Sequence, residues 1–458
     1  MSSVLGFSDK EKARKLLEKE NLKINFLGAG GIGMYPLCLL SRELGYSVSG
    51  YDRDENSLIR ELKECGIEVR DVDFDTELLV ATLAASPDGK NIQRARNLGI
   101  PIVSRPAFLG ALMEKYKTRI GVSGSHGKST VTGMCSHIFE IADKNPTTLC
   151  GAIMRGVESP LRLGGMNTLI YEACEYKDAF LEFSPTLSVY TNLELDHVDY
   201  FKSLEDIKAS FLRAMNTSDV SIINADDENL LEISSGTASH ILKVGTFPEC
   251  DYVISEVAGN VGNYRYKISH GEESSAVSLS ILGRFNVYNS ALAIAAAREH
   301  GISLKAGARA ISSFFGVGRR LERLGAKDGR NVYYDYAHHP TEIRESINAI
   351  REREGGNITV IFKPHTYSRT KALFSELCEA LSLADSVLLL DISAIREEYD
   401  PTVSSSLLAE KIGAHSRKIE ENEVLDNIPK DSGTVVIMGA ADLSKIKEII
   451  ENNKCGYP

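Results

Sequence analysis

The run Ile120-Gly121-Val122-Ser123-Gly124-Ser125-His126-Gly127-Lys128-Ser129-Thr130 restricts this chain more than any other stretch. The apolar residues 119–122 read as a buried strand, small residues follow, and residues 131–142 read as a helix. Strand, glycine loop, Lys-Ser and helix is the layout of a phosphate-binding loop. Polyphosphate oxygens need several backbone N–H donors at once, and bulky side chains on the loop would block that approach. The following helix N-terminus adds partial positive charge. Lys128 is placed to reach the outer phosphates, and the Ser129 hydroxyl to hold Mg²⁺. Val122 stands where the longer form of the motif has glycine, so the chain carries the shorter G-x-x-G-K-S of residues 124–129.

A length of 458 residues suggests about three domains. A net charge of −11 argues against wholesale nucleic-acid binding, which needs a basic face. The N-terminus is charged and lacks the apolar core of a signal peptide, and no run reaches the length of a membrane span. Eight cysteines are scattered without a C-x-x-C, which reads as reduced thiols in a cytoplasm.

Residues 1–117 form the first expected domain. Ser8-Asp9-Lys10-Glu11 is a capping-box pattern opening a charged helix to about Glu20. A strand at residues 24–27 leads into Gly28-Ala29-Gly30-Gly31-Ile32-Gly33, which matches G-x-G-x-x-G. A helix at residues 35–44 and a strand at 47–50 ending near Asp52 complete a Rossmann-type unit, with the acid where a ribose hydroxyl would sit. A dinucleotide cofactor and a nucleotide-sugar diphosphate are both compatible with it.

In the second expected domain, residues 118–316, a strand at 168–171 ends at Glu172, and another at 187–190 ends in Thr191-Asn192-Leu193-Glu194-Leu195-Asp196-His197. Ligands bind at the carboxyl ends of parallel strands, so both clusters should converge on the phosphate loop, with Glu172 and His197 as candidate Mg²⁺ ligands. Residues 252–282 read as an antiparallel hairpin region. Gly283-Arg284-Phe285-Asn286-Val287-Tyr288-Asn289-Ser290 then opens an apolar helix at 291–299. Capping is the simpler explanation of Asn286 and Asn289, with contact to an adenine edge as the alternative.

The third expected domain, residues 317–458, is again parallel α/β. A strand at 331–334 leads into Asp335-Tyr336-Ala337-His338-His339-Pro340-Thr341-Glu342, and one at 358–362 into Lys363-Pro364-His365-Thr366-Tyr367-Ser368-Arg369. The His338-His339 pair invites a metal, but no third ligand stands at zinc spacing. Arg320 and Arg369 are natural anion ligands.

In this order, the loop at 28–34 and the runs 123–130, 191–199, 318–322, 335–342 and 362–370 resemble the motifs of the Mur ligases, over nearly the whole chain. The resemblance implies an α/β protein of three-domain Mur ligase architecture: a Rossmann-like N-terminal domain for a UDP substrate, a P-loop ATPase-like central domain for ATP, and a Rossmann-like C-terminal domain for an amino acid. It implies ATP- and Mg²⁺-dependent joining of L-alanine to UDP-N-acetylmuramate through an acyl phosphate, by a monomer or weak homodimer in the cytoplasm. On that likeness, Gly28, Ala29, Gly30, Gly31, Ile32, Gly33 and Asp52 serve the UDP substrate. Gly124, Ser125, His126, Gly127, Lys128, Ser129, Thr130, Asn286, Asn289, Arg320 and Asp335 serve ATP. Ser129, Glu172 and His197 hold the metal. Lys128, Glu172, His197 and Arg320 carry the catalysis, and Tyr336, His365 and Arg369 line the amino-acid pocket.

The chain departs from the family's usual pattern in the run Glu172-Ala173-Cys174-Glu175-Tyr176-Lys177, which is ordinarily more acidic, at Phe285 in place of histidine, and at Ala441 in place of glycine. Three other readings compete: a related ligase that attaches a ready-made peptide to the same UDP-sugar, a non-catalytic nucleotide-sugar-binding relative, and a NAD-dependent oxidoreductase. The last leaves Lys128, Glu172 and His197 without a role.

Overall fold

Short apolar runs alternating with helices build three separate sheets, one for each expected domain. The protein is seen in a computed structural model, which describes residues 10–260, 262–394 and 397–452. Ser8 and Asp9 of the capping-box pattern lie outside the described residues, and the first helix, α1 (Lys10–Leu16), is shorter than the expected span to Glu20.

The N-terminal sheet contains β1 (Lys23–Leu27), β2 (Ser47–Tyr51), β3 (Glu68–Val69), β4 (Leu78–Ala81) and β5 (Ile102–Ser104), in the order β3-β2-β1-β4-β5. All pairs are parallel. β5, with Pro101 before it, is an edge strand, where a missing N–H is tolerated. The glycine loop joins β1 to α2 (Tyr35–Glu43), with Pro36 in its first turn. From the end of β5 the chain enters α3 (Arg105–Leu112), capped by Ser104, whose hydroxyl accepts from the Ala107 N–H at 3.2 Å. Phe108 of this helix meets Phe26 of β1 edge to face at 5.4 Å. Both rings are fully buried, worth roughly 2–3 kcal/mol each in removed apolar surface.

The central sheet has ten strands: β6 (Thr118–Ser123), β7 (Thr147–Met154), β8 (Ser159–Arg162), β9 (Thr168–Glu172), β10 (Leu187–Tyr190), β11 (Val220–Asn224), β12 (His240–Gly245), β13 (Tyr252–Asn260), β14 (Asn263–His270) and β15 (Glu273–Ser278). β13, β14 and β15 are the expected antiparallel region. The hairpin β7–β8 was not foreseen, because its stretch has no clean alternation. The register pairs Val122 with Glu172 and Ser123 with Tyr190, so β6, β9 and β10 end side by side. Behind them α4 (Lys128–Ile141) packs on α5 (Phe285–Arg298). Buried Ala291, Ala293, Ala295, Ala296 and Ala297 let α5 lie within the core.

The C-terminal sheet holds β16 (Glu322–Lys327), β17 (Arg330–Asp335), β18 (Ile358–Phe362), β19 (Ser386–Leu389), β20 (Ser416–Lys418) and β21 (Thr434–Met438). Its order is β16-β17-β21-β18-β19-β20, with β16 antiparallel and the rest parallel. Asp335 and Phe362 both pair with Met438, which sets the loops after β17 and β18 on one edge. The first enters α6 (Pro340–Glu354) and the second α7 (Tyr367–Ala372). That edge faces the phosphate loop. Among the described residues no helix is long and apolar enough to cross a membrane.

Candidate functional site

The phosphate loop is closed by side chains from the end of β10. Thr191 donates its hydroxyl to the His126 carbonyl at 2.6 Å, while Asn192 accepts from the His126 N–H at 2.8 Å and donates to its carbonyl at 3.1 Å. Gly124 is obligatory here: at φ +139° a Cβ would stand 1.9 Å from the Thr191 hydroxyl oxygen. Gly127, at φ +82°, brings the loop against the Asn289 side chain. Val122 needs no such freedom because it still lies in β6, fully buried. The Ser125 hydroxyl donates to the Glu194 carbonyl and accepts from the Glu194 N–H.

Lys128, the first residue of α4, folds back over the loop. Its ammonium donates to the Gly124 and Ser125 carbonyls and to Glu175 Oε1, the last at 3.0 Å. Glu175 is fully buried, and the same oxygen lies 3.5 Å from His197 Nε2. Burial works against both charges of the pair, but the attraction wins, holding the lysine above and the glutamate below their ordinary ranges. The Tyr176 ring covers His197 at 4.7 Å, and its hydroxyl donates to Asp199.

Glu172 is oriented by the Gly151 N–H, which donates to Oε1 at 2.5 Å. The Cys150 thiol lies 3.6 Å from that oxygen and 3.5 Å from the Ser129 carbonyl, so it ties the end of β9 to the start of α4. Of the residues expected to hold a metal, Glu172 and the Ser129 backbone are joined through Cys150, whereas the His197 ring lies against Glu175.

Asn286 and Asn289 are not caps. α5 starts at Phe285, six residues earlier than expected, and its N-cap Arg284 makes no side-chain cap bond. The two asparagines lie one turn apart inside the helix, Asn289 donating to Asn286 Oδ1 at 2.8 Å and Asn286 donating to the Leu282 carbonyl at 2.6 Å. They line a cavity of about 350 Å³ between the central and C-terminal domains. His126, Gly127, Thr130, Arg320 and Asp335 line it as well, so expected nucleotide residues from both domains meet around one space.

The C-terminal domain reaches this space through charges. His126 sits between Glu194 and Glu342, each 3.4 Å from one ring nitrogen. Burial alone would lower its pKa, but the two carboxylates push it up to about 10. Glu342 also pairs with Arg320 at 3.2 Å, and it is held well below the usual carboxylate range against the cost of burial, by His338 and His126. The Thr341 hydroxyl donates to Glu194 at 2.7 Å. Asp335 accepts from the Ser346 hydroxyl at 2.5 Å and from the Ala337 N–H. Burial raises its pKa.

Of the pair His338-His339, His339 joins His126 and Glu194, each bringing a ligand atom within a 4.8 Å cluster, while His338 lies 3.2 Å from Glu342. In this cluster Glu194 and Glu342 flank the His126 ring and hold its pKa up, so the imidazole already serves as the partner of both carboxylates. His339 is instead the cap of α6, accepting from the Thr341 N–H, and burial first, then the neighbouring His126 charge, lowers its pKa to about 4.

Of the expected acceptor-pocket residues, Arg369 and His365 meet, and Tyr336 is joined to His365 through the His338 ring. Arg369 binds Asp196 Oδ1 through Nε at 3.1 Å and Nη2 at 2.8 Å, and lies 3.0 Å from His365 Nδ1. The Tyr336 ring lies under the guanidinium groups of Arg319 and Arg320 at 4.9 and 4.8 Å. Asp196 and His197 are consecutive, yet they face different domains. His197 has φ +52°, a left-handed conformation that sends the Asp196 carboxylate to Arg369 and the His197 ring to Glu175.

In the N-terminal domain, Asp52 Oδ2 accepts from the Gly30 N–H at 2.8 Å, so the acid braces the glycine loop itself. The Gly28 and Ala29 N–H groups donate to the Tyr51 carbonyl, and Gly31 donates to Gly28. Ile32 and Gly33 keep N–H groups with no protein acceptor among the described residues. Glu175, Glu194, Glu342, Asp196 and Asn192 were not singled out as site residues beforehand. Their weight comes from partners in other elements, and a local pattern does not reveal it.

Residues 23–117 match the family described as Mur ligase family, catalytic domain. Residues 122–297 match the Mur ligase middle domain, and residues 319–441 the Mur ligase, glutamate ligase domain. A UDP-N-acetylmuramate–L-alanine ligase of Lachnospira eligens is 35% identical over 446 residues, covering 93% of this chain and 97% of that one. The ligase of the same name from Clostridium acetobutylicum is 35% identical over 447 residues, covering 93% and 97%. Among solved structures, the UDP-N-acetylmuramate-alanine ligase of Thermotoga maritima superposes with a TM-score of 0.80 at 26% identity, covering 95% of this chain and all of the other. A murein peptide ligase of Psychrobacter arcticus shares the fold, with a TM-score of 0.73 at 21% identity over 94% and 98%.

Proposed function

The chain belongs to the Mur ligase family, and on that premise we propose that it is an ATP-dependent ligase joining L-alanine to UDP-N-acetylmuramate in the cytoplasmic synthesis of peptidoglycan precursors. The observation that carries this reading is the end-to-end likeness to ligases of that name, 35% identical over 93% of the chain. In this reading the N-terminal domain takes the UDP substrate on its glycine loop, the central domain takes ATP, and the C-terminal domain presents the amino acid. The enzyme works as a monomer or weak homodimer.

A carboxylate is a poor acyl donor, and ATP makes it a good one. The muramate carboxylate attacks the γ-phosphorus, the bond to ADP breaks, and an acyl phosphate forms. The alanine amine, once uncharged, attacks the acyl carbon; phosphate leaves and the remaining amine proton passes to solvent. Little of this needs covalent chemistry from the protein, so positioning and charge neutralisation dominate. Lys128 would exchange Glu175 for the γ-phosphate, and Arg320, already at the cavity wall, would meet the phosphates from the other domain. Asn286 and Asn289 would face the adenine. Arg369, with His365 beside it, would face the amino-acid carboxylate, and Tyr336 would line the same pocket.

The residues fit a Mg²⁺ ion. Glu172 keeps Oε2 free of hydrogen bonds among the described residues, the Ser129 hydroxyl makes none there either, and Cys150 touches both residues. A hydroxyl and a carboxylate oxygen are the hard donors this ion takes, with His197 as a further ligand once it leaves Glu175. When bound, Mg²⁺ supplies neutralisation of the charge on the transferring phosphate.

The test is phosphate release from ATP with UDP-N-acetylmuramate and, in turn, L-alanine, glycine, L-serine or the recycling tripeptide. The reading expects release that needs both the UDP-sugar and L-alanine. Preference for the tripeptide would reassign the chain to peptide recycling. Tight UDP-sugar binding with no release from any acceptor would make it a non-catalytic relative.

A further inference from the structure

Two consecutive residues just past Glu175 stand in the left-handed region, Lys177 at φ +54°, ψ +35° and Asp178 at φ +58°, ψ +25°. Neither is glycine, and a Cβ at such angles crowds the backbone. They kink the segment Tyr176–Glu182, and the Asp178 N–H turns back to the Glu175 carbonyl at 2.9 Å. Glu175 itself is held at a cost. Its side chain is fully buried, and while Oε1 meets Lys128 and His197, Oε2 has no hydrogen-bond partner among the described residues. A strained segment that carries a half-satisfied buried carboxylate needs an anchor.

Asp178 supplies it. Its Oδ2 accepts from the Tyr200 hydroxyl at 2.8 Å and from Arg213 Nη2 at 3.1 Å, and its Oδ1 accepts from the Ser210 hydroxyl. Ser210 is fully buried in the helix Leu204–Met215, so this contact is to a fixed element. The Arg213 side chain is 59% exposed, and its pairing adds little. Tyr200 belongs to the His197 turn: its N–H donates to the His197 carbonyl at 2.8 Å. Between these points the Tyr176 ring covers His197, and its hydroxyl donates to Asp199 at 2.8 Å. Residues 175–178 are thus laced to residues 197–200, with Glu175 at one end and Asp178 at the other.

We propose that Asp178 is a positioning residue: anchored on Tyr200 and Ser210, it holds Glu175 against Lys128 until nucleotide takes the lysine. This rests on the reading that Lys128 binds the ATP phosphates. Competition sets the direction of the effect. Glu175 and ATP share one lysine, so loosening the anchor raises the fraction of molecules in which the lysine is available, and ATP binds more tightly. A residue that only maintained the fold would leave ATP binding unchanged or weaker when lost.

Calorimetric titration of the full-length protein with ATP and Mg²⁺ tests it, on wild type, Asp178→Ala, Tyr200→Phe, Glu175→Gln, and Glu175→Gln combined with each of the other two. Asp178→Ala should tighten ATP binding about 3- to 10-fold, and Tyr200→Phe, which removes part of the anchor without altering a charge, by a smaller factor. In the Glu175→Gln background either change should move ATP affinity by less than about twofold, because no competing carboxylate is left to release. Unchanged or weakened ATP binding in Asp178→Ala overturns the proposal and leaves the reading of Lys128 intact. Equal tightening with and without Glu175 overturns it as well, since the effect would then come from the lost negative charge alone. Failure of the wild type to bind ATP overturns the reading of Lys128 and this proposal together. Melting temperatures identify a variant that has not folded, and Tyr200→Phe with its Glu175→Gln combination then carries the comparison.

Discussion

Lys128 and Glu175 form an ion pair of 3.0 Å in which the glutamate is fully buried and the lysine stands at the end of the glycine loop. In the proposed reaction ATP takes the place of Glu175 as the counter-charge of this lysine.

Glu175→Gln therefore has opposite effects with and without nucleotide. Breaking a buried pair from one side costs roughly 3 kcal/mol, so the melting temperature of the free enzyme should fall by several degrees. ATP, which supplies the missing negative charge, should restore more stability to this variant than it adds to the wild type. Equal ATP-induced shifts in the two proteins would show that Lys128 does not change partners.

Lys128→Ala should lower kcat on the order of 100- to 1,000-fold while leaving UDP-N-acetylmuramate affinity within a factor of about two. Stopped assays for ADP, with UDP-sugar binding measured in parallel, check it. Normal turnover would sink the phosphate-loop assignment.

The docking of the C-terminal domain should weaken in alkali. The His126 pKa is raised to about 10 in the fold against 6.5 for an unperturbed imidazole, so its contribution is complete below 6.5 and is lost as pH rises through about 10. Glu342, held below its ordinary range, contributes above that ordinary value and fails in acid. Small-angle scattering across pH 6 to 10.5 should show expansion near the upper end, and His126→Ala should already be expanded at neutral pH.

Asp196→Asn keeps the shape of the contact but leaves Arg369 without a charged partner. It should raise the KM for L-alanine about tenfold or more, because the arginine is no longer held in place, with the KM for ATP little changed. An unchanged L-alanine KM would mean that Arg369 orients itself through His365 alone.

Gly127→Ala places a methyl group 2.8 Å from Asn289 Oδ1 on a backbone at φ +82°. Loss of ATP binding with retained UDP-sugar binding is the expected outcome, read by titration with each ligand.

What could be read beforehand divides along a physical line. The phosphate loop, the Gly28–Gly33 loop and the acids at strand ends announce themselves because the chemistry and the chain order coincide: Glu172 closes β9, and Lys128 opens α4. The start of α5 was misplaced because Arg284 offers no capping side chain to mark it, which left Asn286 and Asn289 looking like caps. The hairpin of β7 and β8 went unread because the bulge between Leu149 and Met154 breaks the alternation that would show a strand. Glu194 and Glu342 belong to a third kind. Both stand in runs that the sequence marks, but their shared partner His126 shows only once the central and C-terminal domains are brought together.

The left-handed turn at His197 has a further consequence. One peptide bond separates the carboxylate that steadies Arg369 from the imidazole that shares Glu175 with Lys128. Neighbouring residues of one loop thus hold a contact to the C-terminal domain and a contact within the central domain. A change of backbone conformation at this one position would disturb both contacts at once, one to each domain.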